Sequence, residues 1–406
     1  MKEELKTKVY YGEYSLDYWI ELILKKEIIL PEYQRYFVWE PKQVITLFQT
    51  LKEGYFIPSV IIASCNINGK DENIIIDGQQ RLTAILLAYL KRYPKRSGFQ
   101  EDTIGLSTAS TLRKWTFKEL TKNVVSLKAL RDDISKNNKY EELEIDYKEE
   151  DFKNHYLGFS YIVPEVPDNE NPLAQQNYYS TIFRSINQQG TVLEEIESRR
   201  ALYFLNSKYA RWFEPHLTLK PSNKKIIGRK IPFDYIRYVS VLTEYYNQHI
   251  IKGKKVSFSD IIANVEKLTP KTYYEDYIYT VTGVGFDNKE QALERFGSFK
   301  QLFPNEEYAS TIGSIQTHLN ELSFSDVPFK SLITLDIYFY GLLYYLIFQK
   351  REVNLSRKDT LLETLAKECE KLNGDKKYVK SQNDRAHWAG RIKKSIDIYM
   401  RYLKKK

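Results

Sequence analysis

The run NIIIDGQQRLTAILLAYL, which begins at Asn73, constrains the fold more than any other part of the sequence. Its three isoleucines are typical of a buried strand, and apolar residues recur at helical spacing from Leu82 to Tyr89. The five residues DGQQR lie between the two patterns, and Asp77 and Gly78 among them are typical of a turn. The run therefore predicts a strand that turns at a glycine directly into a helix.

Such a turn presents the free backbone N–H groups and the partial positive charge of a helix N-terminus. Arg81 falls in the first turn of that helix, where a cation costs roughly 0.3 to 1 kcal/mol unless a negative group lies nearby. The residues alone leave two explanations open. In one, Asp77 and Gln80 form a capping box and Arg81 joins a structural ion pair. In the other, a phosphate binds to Arg81 and to the N–H groups of the turn, while Asp77 holds a metal ion or a water.

A second polar patch, Gln34-Arg35, lies in an extended aromatic stretch between Pro31 and Trp39. The aromatic neighbours favour a partly buried position for Arg35. This arginine is compatible with a structural ion pair plus aromatic stacking, or with contact to an anion or a nucleotide.

A third patch is the segment INQQGTVLEEIESRR. Gly190 is placed to end one helix and Thr191 to cap the next, which makes a helix-turn-helix corner. Such a corner can enter a DNA groove, although its glutamates would face phosphates unfavourably. The alternative is that Asn187, Arg199 and Arg200 turn inward, toward the same anion as Arg81.

The chain as a whole is predicted to be an α+β protein with two domains, residues 1–215 and residues 216–406. In the first domain a helix starts at Pro41, residues 59–63 and 73–76 form a hairpin, and the segment HYLGFSYIVPEV forms a strand. The second domain is predicted to be mainly helical because its long tyrosine-rich stretches repeat their apolar residues at helical spacing.

Composition limits the class of protein. The 406 residues include 33 tyrosines, so many buried ring hydroxyls need partners, and the net charge of +8 permits an anionic partner. Cys65 and Cys369 match no metal-ligand spacing, and the N-terminus lacks the apolar stretch of a signal peptide. The most apolar window, Ile337 to Phe348, is predicted to be a core helix. We therefore expect a cytoplasmic protein with no membrane partner.

Three stretches, taken in order, resemble a known family: PEYQRYFVWEPKQVITLFQTLKEGYFIPSVII, then IIIDGQQRLTAILL, then FRSINQQGTVLEEIESRRAL. They are similar to the N-terminal domain of GmrSD-type modification-dependent restriction enzymes, a domain (family 262 of the domains of unknown function) found in many bacterial anti-phage proteins. The similarity spans about residues 10 to 210. It implies a ParB/sulfiredoxin-like fold with a small mixed sheet, followed by a mainly helical C-terminal domain.

The resemblance also implies roles for residues. In this family the DGQQR motif is associated with nucleotide binding and hydrolysis, which implies catalytic roles for Asp77, Gln79, Gln80 and Arg81. Gly78 and Arg81 would hold phosphate, Asp77 would bind Mg²⁺ or orient a water, and either glutamine would position that water.

Two further family motifs are matched outside the DGQQR run. The resemblance implies that they wall the same nucleotide pocket, with contacts from Gln34, Arg35, Asn187, Gly190, Thr191 and Arg199. Glu197 matches the glutamate of the family's Glu-x-Arg segment.

The sequence departs from full-length relatives that carry a C-terminal HNH nuclease domain. Such a domain needs a histidine general base beside grouped metal ligands, and no histidine of this chain stands in that setting: His155, His216, His249, His318 and His387. We therefore expect the nuclease half to be absent or supplied by a partner.

The resemblance thus implies a module of a bacterial anti-phage system that binds and hydrolyses a nucleoside triphosphate with Mg²⁺. Its expected partners are the nucleotide, DNA, a separate nuclease or effector protein, and a second copy of the chain. The alternative is a non-catalytic module that senses a nucleotide or binds DNA and regulates a partner. In that case a basic loop would grip DNA through Lys220, Lys224, Lys225, Arg229 and Lys230.

Overall fold

The computed structural model describes residues 6–31, 34, 36–67, 70–99, 115–122, 127–165, 182, 199–200, 202–215, 217, 233–283, 289–324, 327, 329 and 331–405. The described residues up to 205 form one compact unit, and those from 206 onward form another. The predicted domain boundary between residues 215 and 216 stays a prediction.

The strands all lie in the first unit. They are β1 (Lys6–Ser15), β2 (Ile28–Ile29), β3 (Val60–Ile67), β4 (Lys70–Asp77), β5 (Arg92–Pro94), β6 (Tyr140–Glu142) and β7 (Tyr156–Glu165). Five of them form a mixed sheet in the order β1-β7-β3-β4-β2, and β5 pairs with β6 separately. Strands β3 and β4 pair in antiparallel fashion, which confirms the predicted hairpin. Strand β7 lies parallel to β3 and antiparallel to β1.

The helices of the first unit are α1 (Leu16–Leu24), α2 (Pro41–Lys52), α3 (Gln79–Leu90), α4 (Lys118–Thr121), α5 (Leu127–Lys136) and α6 (Glu149–Asn154), with a short 3₁₀ turn at Arg96–Gly98. Helix α2 begins at the predicted proline, and the Gln43 side chain accepts a 2.9 Å hydrogen bond from the backbone N–H of Glu40. Pro41 suits this position because its missing N–H would have no partner in the first turn.

Helix α3 lies at the centre of this unit's hydrophobic core. Nearly all of its residues are buried, from Gln79 to Leu90, so the helix lacks the broad polar face that a surface helix exposes to solvent. It shares the core with the apolar faces of α1 and α2, which bury Trp19, Ile20 and Phe48 among others. The strand-to-helix run that dominates the sequence is therefore also the centre of the packed structure.

Strand β1 is a feature that the sequence did not reveal. It pairs with β7 from Lys6 to Ser15 at the edge of the sheet, and most of its residues are exposed. An edge strand with both faces in water has no apolar and polar alternation for sequence analysis to detect.

The described part of the second unit is helical. Its helices are α7 (Ala210–Phe213), α8 (Tyr235–Tyr245), α9 (Phe258–Leu268), α10 (Pro270–Thr282), α11 (Lys289–Phe296), α12 (Phe299–Leu302), α13 (Tyr308–Glu321), α14 (Leu332–Leu343), α15 (Lys358–Gly374), α16 (Lys376–Lys380) and α17 (Arg385–Met400). Helix α8 continues as a π-helical turn at Tyr246–Ile251, and α14 continues as another at Tyr344–Phe348. Burial of α14 and of this continuation confirms the predicted core helix. The α+β class is confirmed.

The C-terminal helix, α17, packs along α14. A Cβ atom added to Gly341 of α14 would lie 2.5 Å from the carbonyl oxygen of Ser395 in α17, so the two backbones approach directly. The Ser395 hydroxyl accepts from the Gly341 N–H at 2.7 Å and donates to the Ile337 carbonyl at 2.7 Å. Ile392, Ser395 and Tyr399 of α17 are buried, and so is the basic Arg391.

A buried ion cluster joins three helices of this unit. Asp336 of α14, which is fully buried, accepts hydrogen bonds from Nε of Arg391 at 2.8 Å and from both Nη atoms of Arg237. The Tyr238 hydroxyl donates to the same carboxylate at 3.0 Å. One carboxylate thus pairs with two guanidinium groups that water scarcely reaches. Such a cluster is sensitive to loss of its one anion, because each unpaired buried charge is strongly unfavourable.

We predict that Asp336→Asn lowers the free energy of unfolding by about 3 to 5 kcal/mol, because it leaves two buried guanidinium groups without a carboxylate. Urea unfolding is the appropriate measurement, since urea adds no salt to screen the charges. The matched control is Glu352→Gln, which removes an exposed pair with Lys404 and is expected to change stability little. Equal effects of the two substitutions would contradict the assigned role of Asp336.

Candidate functional site

The turn between β4 and α3 requires glycine. Gly78 has φ +95° and ψ 4° and serves as the N-cap of α3. A Cβ atom at this position would lie 2.9 Å from Cγ2 of Val60 in the neighbouring strand. Any residue with a Cβ atom would therefore be strained at this position, both by the left-handed backbone and by the close approach of Val60.

Arg81 is held inside the protein by three acceptors. Its Nη2 contacts Oδ2 of Asp77 at 2.6 Å, and its Nη1 donates to the carbonyls of Pro58 and, at 3.2 Å, of Ser59. Only 12% of the Arg81 side chain is exposed, against 36% of Asp77. Burial lowers the pKa of Arg81 and the Asp77 carboxylate opposes that shift, so the guanidinium stays charged. Asp77 is therefore the negative partner that Arg81 needs, and a phosphate contact by Arg81 stays a prediction.

The capping box considered for Asp77 and Gln80 is not formed. The Gln80 side chain turns away from the helix end: its Oε1 accepts from the N–H of Val38 at 2.9 Å and its Nε2 donates to the Tyr36 carbonyl at 3.0 Å. Among the described residues, no side chain caps α3. The N–H groups of its first turn therefore have no side-chain acceptor within that part of the chain.

Gln34 and Gln80 together attach the segment before α2 to the β4–α3 unit. Gln34 is buried, and its Nε2 donates to the carbonyls of Ile75 at 3.0 Å and Ile76 at 2.9 Å. These bonds join residues about forty positions apart, which is why no local pattern indicated them. Gln34 thus lies beside the strand that ends in the DGQQR run, with its amide nitrogen bound to backbone, and a nucleotide contact by Gln34 stays a prediction.

Gln79, the first residue of α3, keeps one donor without a partner. Its side chain is 3% exposed, and its Oε1 accepts from Nε2 of Gln80 at 3.2 Å. Among the contacts of the described residues, Nε2 of Gln79 has no hydrogen-bond acceptor. One turn further on, the hydroxyl of Thr83 is likewise buried without a partner. Buried donors without partners are rare and mark strain, an unseen water or a missing ligand.

Two of the predicted arginines lie in the described part of the first unit. Arg199 and Arg200 are buried, and the guanidinium of Arg200 stands 5.3 Å from the ring centroid of Tyr36. Tyr36 also receives the Gln80 amide, so Arg200 is brought toward the DGQQR run. The other predicted residues, Arg35, Asn187, Gly190 and Thr191, lie outside the described residues, as do Glu197 and the five basic residues of the proposed DNA loop.

Metal ligation is limited within the described ranges. No group of three or more His, Cys, Asp or Glu side chains is close enough there to hold a metal ion. His155, His249, His318 and His387 each use Nδ1 in a hydrogen bond, for example to the Ser314 carbonyl in the case of His318. His216 lies outside the described residues. Cys65 and Cys369 are free thiols.

Across the described helices, none combines the length and the apolar composition that a bilayer crossing demands.

Comparison with known proteins identifies the first half of the chain. Residues 20–204 match the family model described as the GmrSD restriction endonuclease, N-terminal domain. Over 289 residues the chain is 24% identical to an uncharacterized protein, MJ0686, of Methanocaldococcus jannaschii. The aligned region covers 58% of this chain and 48% of that protein. The chain therefore spans about half the length of this curated relative. No solved structure matches the chain.

The family match includes every residue of the DGQQR run and the Gln34 and Arg199 segments around it. Residues 20–204 of this chain therefore form a domain of the GmrSD N-terminal family.

Proposed function

We propose that this chain is a component of a restriction-like anti-phage system whose N-terminal domain binds and hydrolyses a nucleoside triphosphate with Mg²⁺. The phosphates are held at the N-terminus of α3. The observation that carries the proposal is the buried Nε2 donor of Gln79, which has no partner at a helix N-terminus that no side chain caps.

The chemistry of this helix end suits a polyphosphate. The N–H groups of the first helical turn and the helix dipole both favour an anion. Gln79 adds a side-chain donor that would cease to be unsatisfied when a phosphate oxygen accepts from it. A bound ligand would thus satisfy a donor that otherwise destabilises the fold.

The pairing of Arg81 changes the role proposed for it. Its guanidinium bridges the end of β4 to the start of β3 and has its charge balanced by Asp77. We assign Arg81 to holding the turn in shape, and to phosphate only through the positive potential that remains near the helix end. Truncating Arg81 would remove the partner of Asp77 and the donor to the Pro58 and Ser59 carbonyls, which would disturb the turn, so it is a poor probe of binding.

Asp77 fits a magnesium ligand that works together with substrate phosphates. Mg²⁺ in nucleotide sites is commonly held by one or two carboxylates plus phosphate oxygens and water. The Asp77 side chain is 36% exposed and spends Oδ2 on Arg81, which leaves Oδ1 available. When bound, the ion neutralises charge on the transferred phosphoryl group.

A nucleotide sensor without hydrolysis is the second candidate. The observation that favours it is the ion pair itself, because the cation nearest to the helix end is already neutralised by Asp77 at 2.6 Å. Phosphoryl transfer depends mainly on charge neutralisation, and a paired arginine supplies less of it. In this case nucleotide binding would regulate a partner.

DNA and a separate nuclease are the proposed partners of the whole protein. The family description names a restriction endonuclease, whose substrate is DNA. The sequence carries no recognisable HNH motif, so we propose that a partner supplies the cleavage. A second copy of the chain stays a predicted partner.

We predict that Gln79→Met weakens binding of ATP or another triphosphate at least about tenfold, because methionine keeps the volume but removes the donor. Without ligand the same variant is expected to be at least as stable as wild type, since an unsatisfied buried donor is lost. Isothermal titration gives the affinity, and urea unfolding gives the stability.

Thr83→Val is the matched control for Gln79→Met. It removes the other unpartnered polar group of α3, one turn deeper in the helix, while keeping the side-chain shape. We expect stability to rise or stay unchanged, with nucleotide affinity equal to wild type. If Gln79→Met also binds as wild type does, the proposed nucleotide site at this helix end is wrong.

Substitution of Asp77 distinguishes a nucleotide-hydrolysing enzyme from a nucleotide sensor. In the enzyme, Asp77→Asn abolishes Mg²⁺-dependent phosphate release but retains nucleotide binding in the absence of Mg²⁺, because a negative charge near the phosphates is removed. Phosphate release is measured across a Mg²⁺ titration, with Glu72→Gln on the same strand as the control, since Glu72 forms an ordinary pair with Lys70. Binding without phosphate release in wild type would establish the sensor instead.

A further inference from the structure

A cleft lies at the opposite end of helix α3 from the DGQQR turn. It has a volume of about 380 Å³ and is formed by the last turn of α3, the side chain of Arg131 from α5, and the segment that leads into α6. Helix α3 has 12 residues, so this cleft and the proposed nucleotide site are separated by about 18 Å of rigid helix. The volume falls within the range of small-ligand sites in proteins.

The floor of the cleft is aromatic. Tyr89, Tyr147 and Phe152 line it, and their rings pack edge to face, with centroids 5.0 Å apart for Tyr89 and Phe152 and 4.9 Å apart for Tyr147 and Phe152. Tyr147 and Phe152 are almost fully buried, which fixes the floor in place. The guanidinium of Arg131 lies 4.6 Å from the Tyr89 ring centroid and adds a second planar surface. Flat aromatic and guanidinium surfaces are the groups on which nucleobases stack.

The rim of the cleft is basic. Lys91, Arg131 and Lys148 line it, opposed by Glu149 alone. Glu149 contacts Arg131 at 2.7 Å, but the two side chains are 68% and 41% exposed, so this pair is weak and leaves other N–H groups of the guanidinium available.

The carboxylate of Asp146, beside the cleft, is affected by the positive charges of Lys148 and Lys91. The pKa of Asp146 is lowered, chiefly by its hydrogen bond to Lys52 and in smaller part by Lys148 and Lys91. Asp146 is exposed and bonded to Lys52 outside the cleft, so it leaves the cleft cations unneutralised.

We propose that this cleft binds a nucleoside phosphate, with the base stacked on the partly exposed Arg131 guanidinium, which the Tyr89 ring supports, and the phosphate held by Lys91 and Lys148. A free nucleotide and one nucleotide of a single-stranded nucleic acid present the same chemistry. No lining residue of this cleft belongs to the DGQQR run at the other end of α3.

The helix dipole acts against an anion here, since this is the C-terminal end of α3. That effect amounts to roughly 0.3 to 1 kcal/mol near a helix end. It is reduced because the Lys91 carbonyl accepts the N–H of Leu143 at 3.1 Å. Three cations in the rim outweigh this residual partial charge, so the cleft remains electropositive.

The test uses the full chain and AMP carrying a fluorescent label on its ribose, measured by anisotropy. The double variant Lys91→Glu with Lys148→Glu is expected to bind AMP at least about tenfold more weakly than wild type. The control is Lys153→Glu, an exposed lysine of α6 that does not line the cleft and should leave binding unchanged.

Competition identifies what the cleft recognises. Unlabelled AMP should displace the probe far better than either adenosine or inorganic phosphate alone, since both stacking on Arg131 and the lysines contribute. A twelve-residue oligothymidylate that competes better than AMP assigns the cleft to a single strand, and the reverse order assigns it to a free nucleotide. If the double variant binds AMP as wild type does, or if inorganic phosphate competes as well as AMP, the proposal is overturned.

Discussion

The geometry of the candidate site depends on the tie that Arg81 makes between strands and helix. One guanidinium joins the carbonyls that precede β3 to the carboxylate that ends β4, and it does so from the first turn of α3. Because this group is buried and charged, each lost acceptor would leave an unsatisfied donor. The glycine turn, with φ +95° against Val60, is held in one shape by this tie. The conformation of the helix end is therefore set before any ligand arrives.

The polar residues of the DGQQR run divide into those that build the turn and those that remain open to a ligand. Gln80 fastens the backbone of Tyr36 and Val38, and Asp77 balances Arg81. Within this run, Gln79 is the residue whose buried side-chain donor has no acceptor among the described residues. Each residue of the motif can therefore be required for the site, although few of them would contact a substrate.

Sequence patterns predicted what is local and missed what is long-range. The β3–β4 hairpin, the proline start of α2 and the turn into α3 follow from neighbouring residues, and each is present. The spacing of four between Asp77 and Arg81 also carried a signal for their ion pair. In contrast, Gln34 reaches Ile75 and Ile76 across about forty residues, and no periodicity encodes such a contact. The edge strand β1 was missed because exposure on both faces erases alternation.

Helix α3 gives the first unit a single rigid element with different chemistry at its two ends. Its N-terminus is uncapped and electropositive, whereas its C-terminal turn contributes Tyr89 and Lys91 to a basic, aromatic cleft. Because the helix is buried along most of its length, displacement at one end has to be accommodated by the core and is transmitted along the axis. Ligands bound at the two ends would therefore be coupled through helix α3. The thermodynamic consequence is reciprocal: if a ligand in the cleft alters nucleotide affinity at the DGQQR turn, the nucleotide alters affinity in the cleft by the same factor.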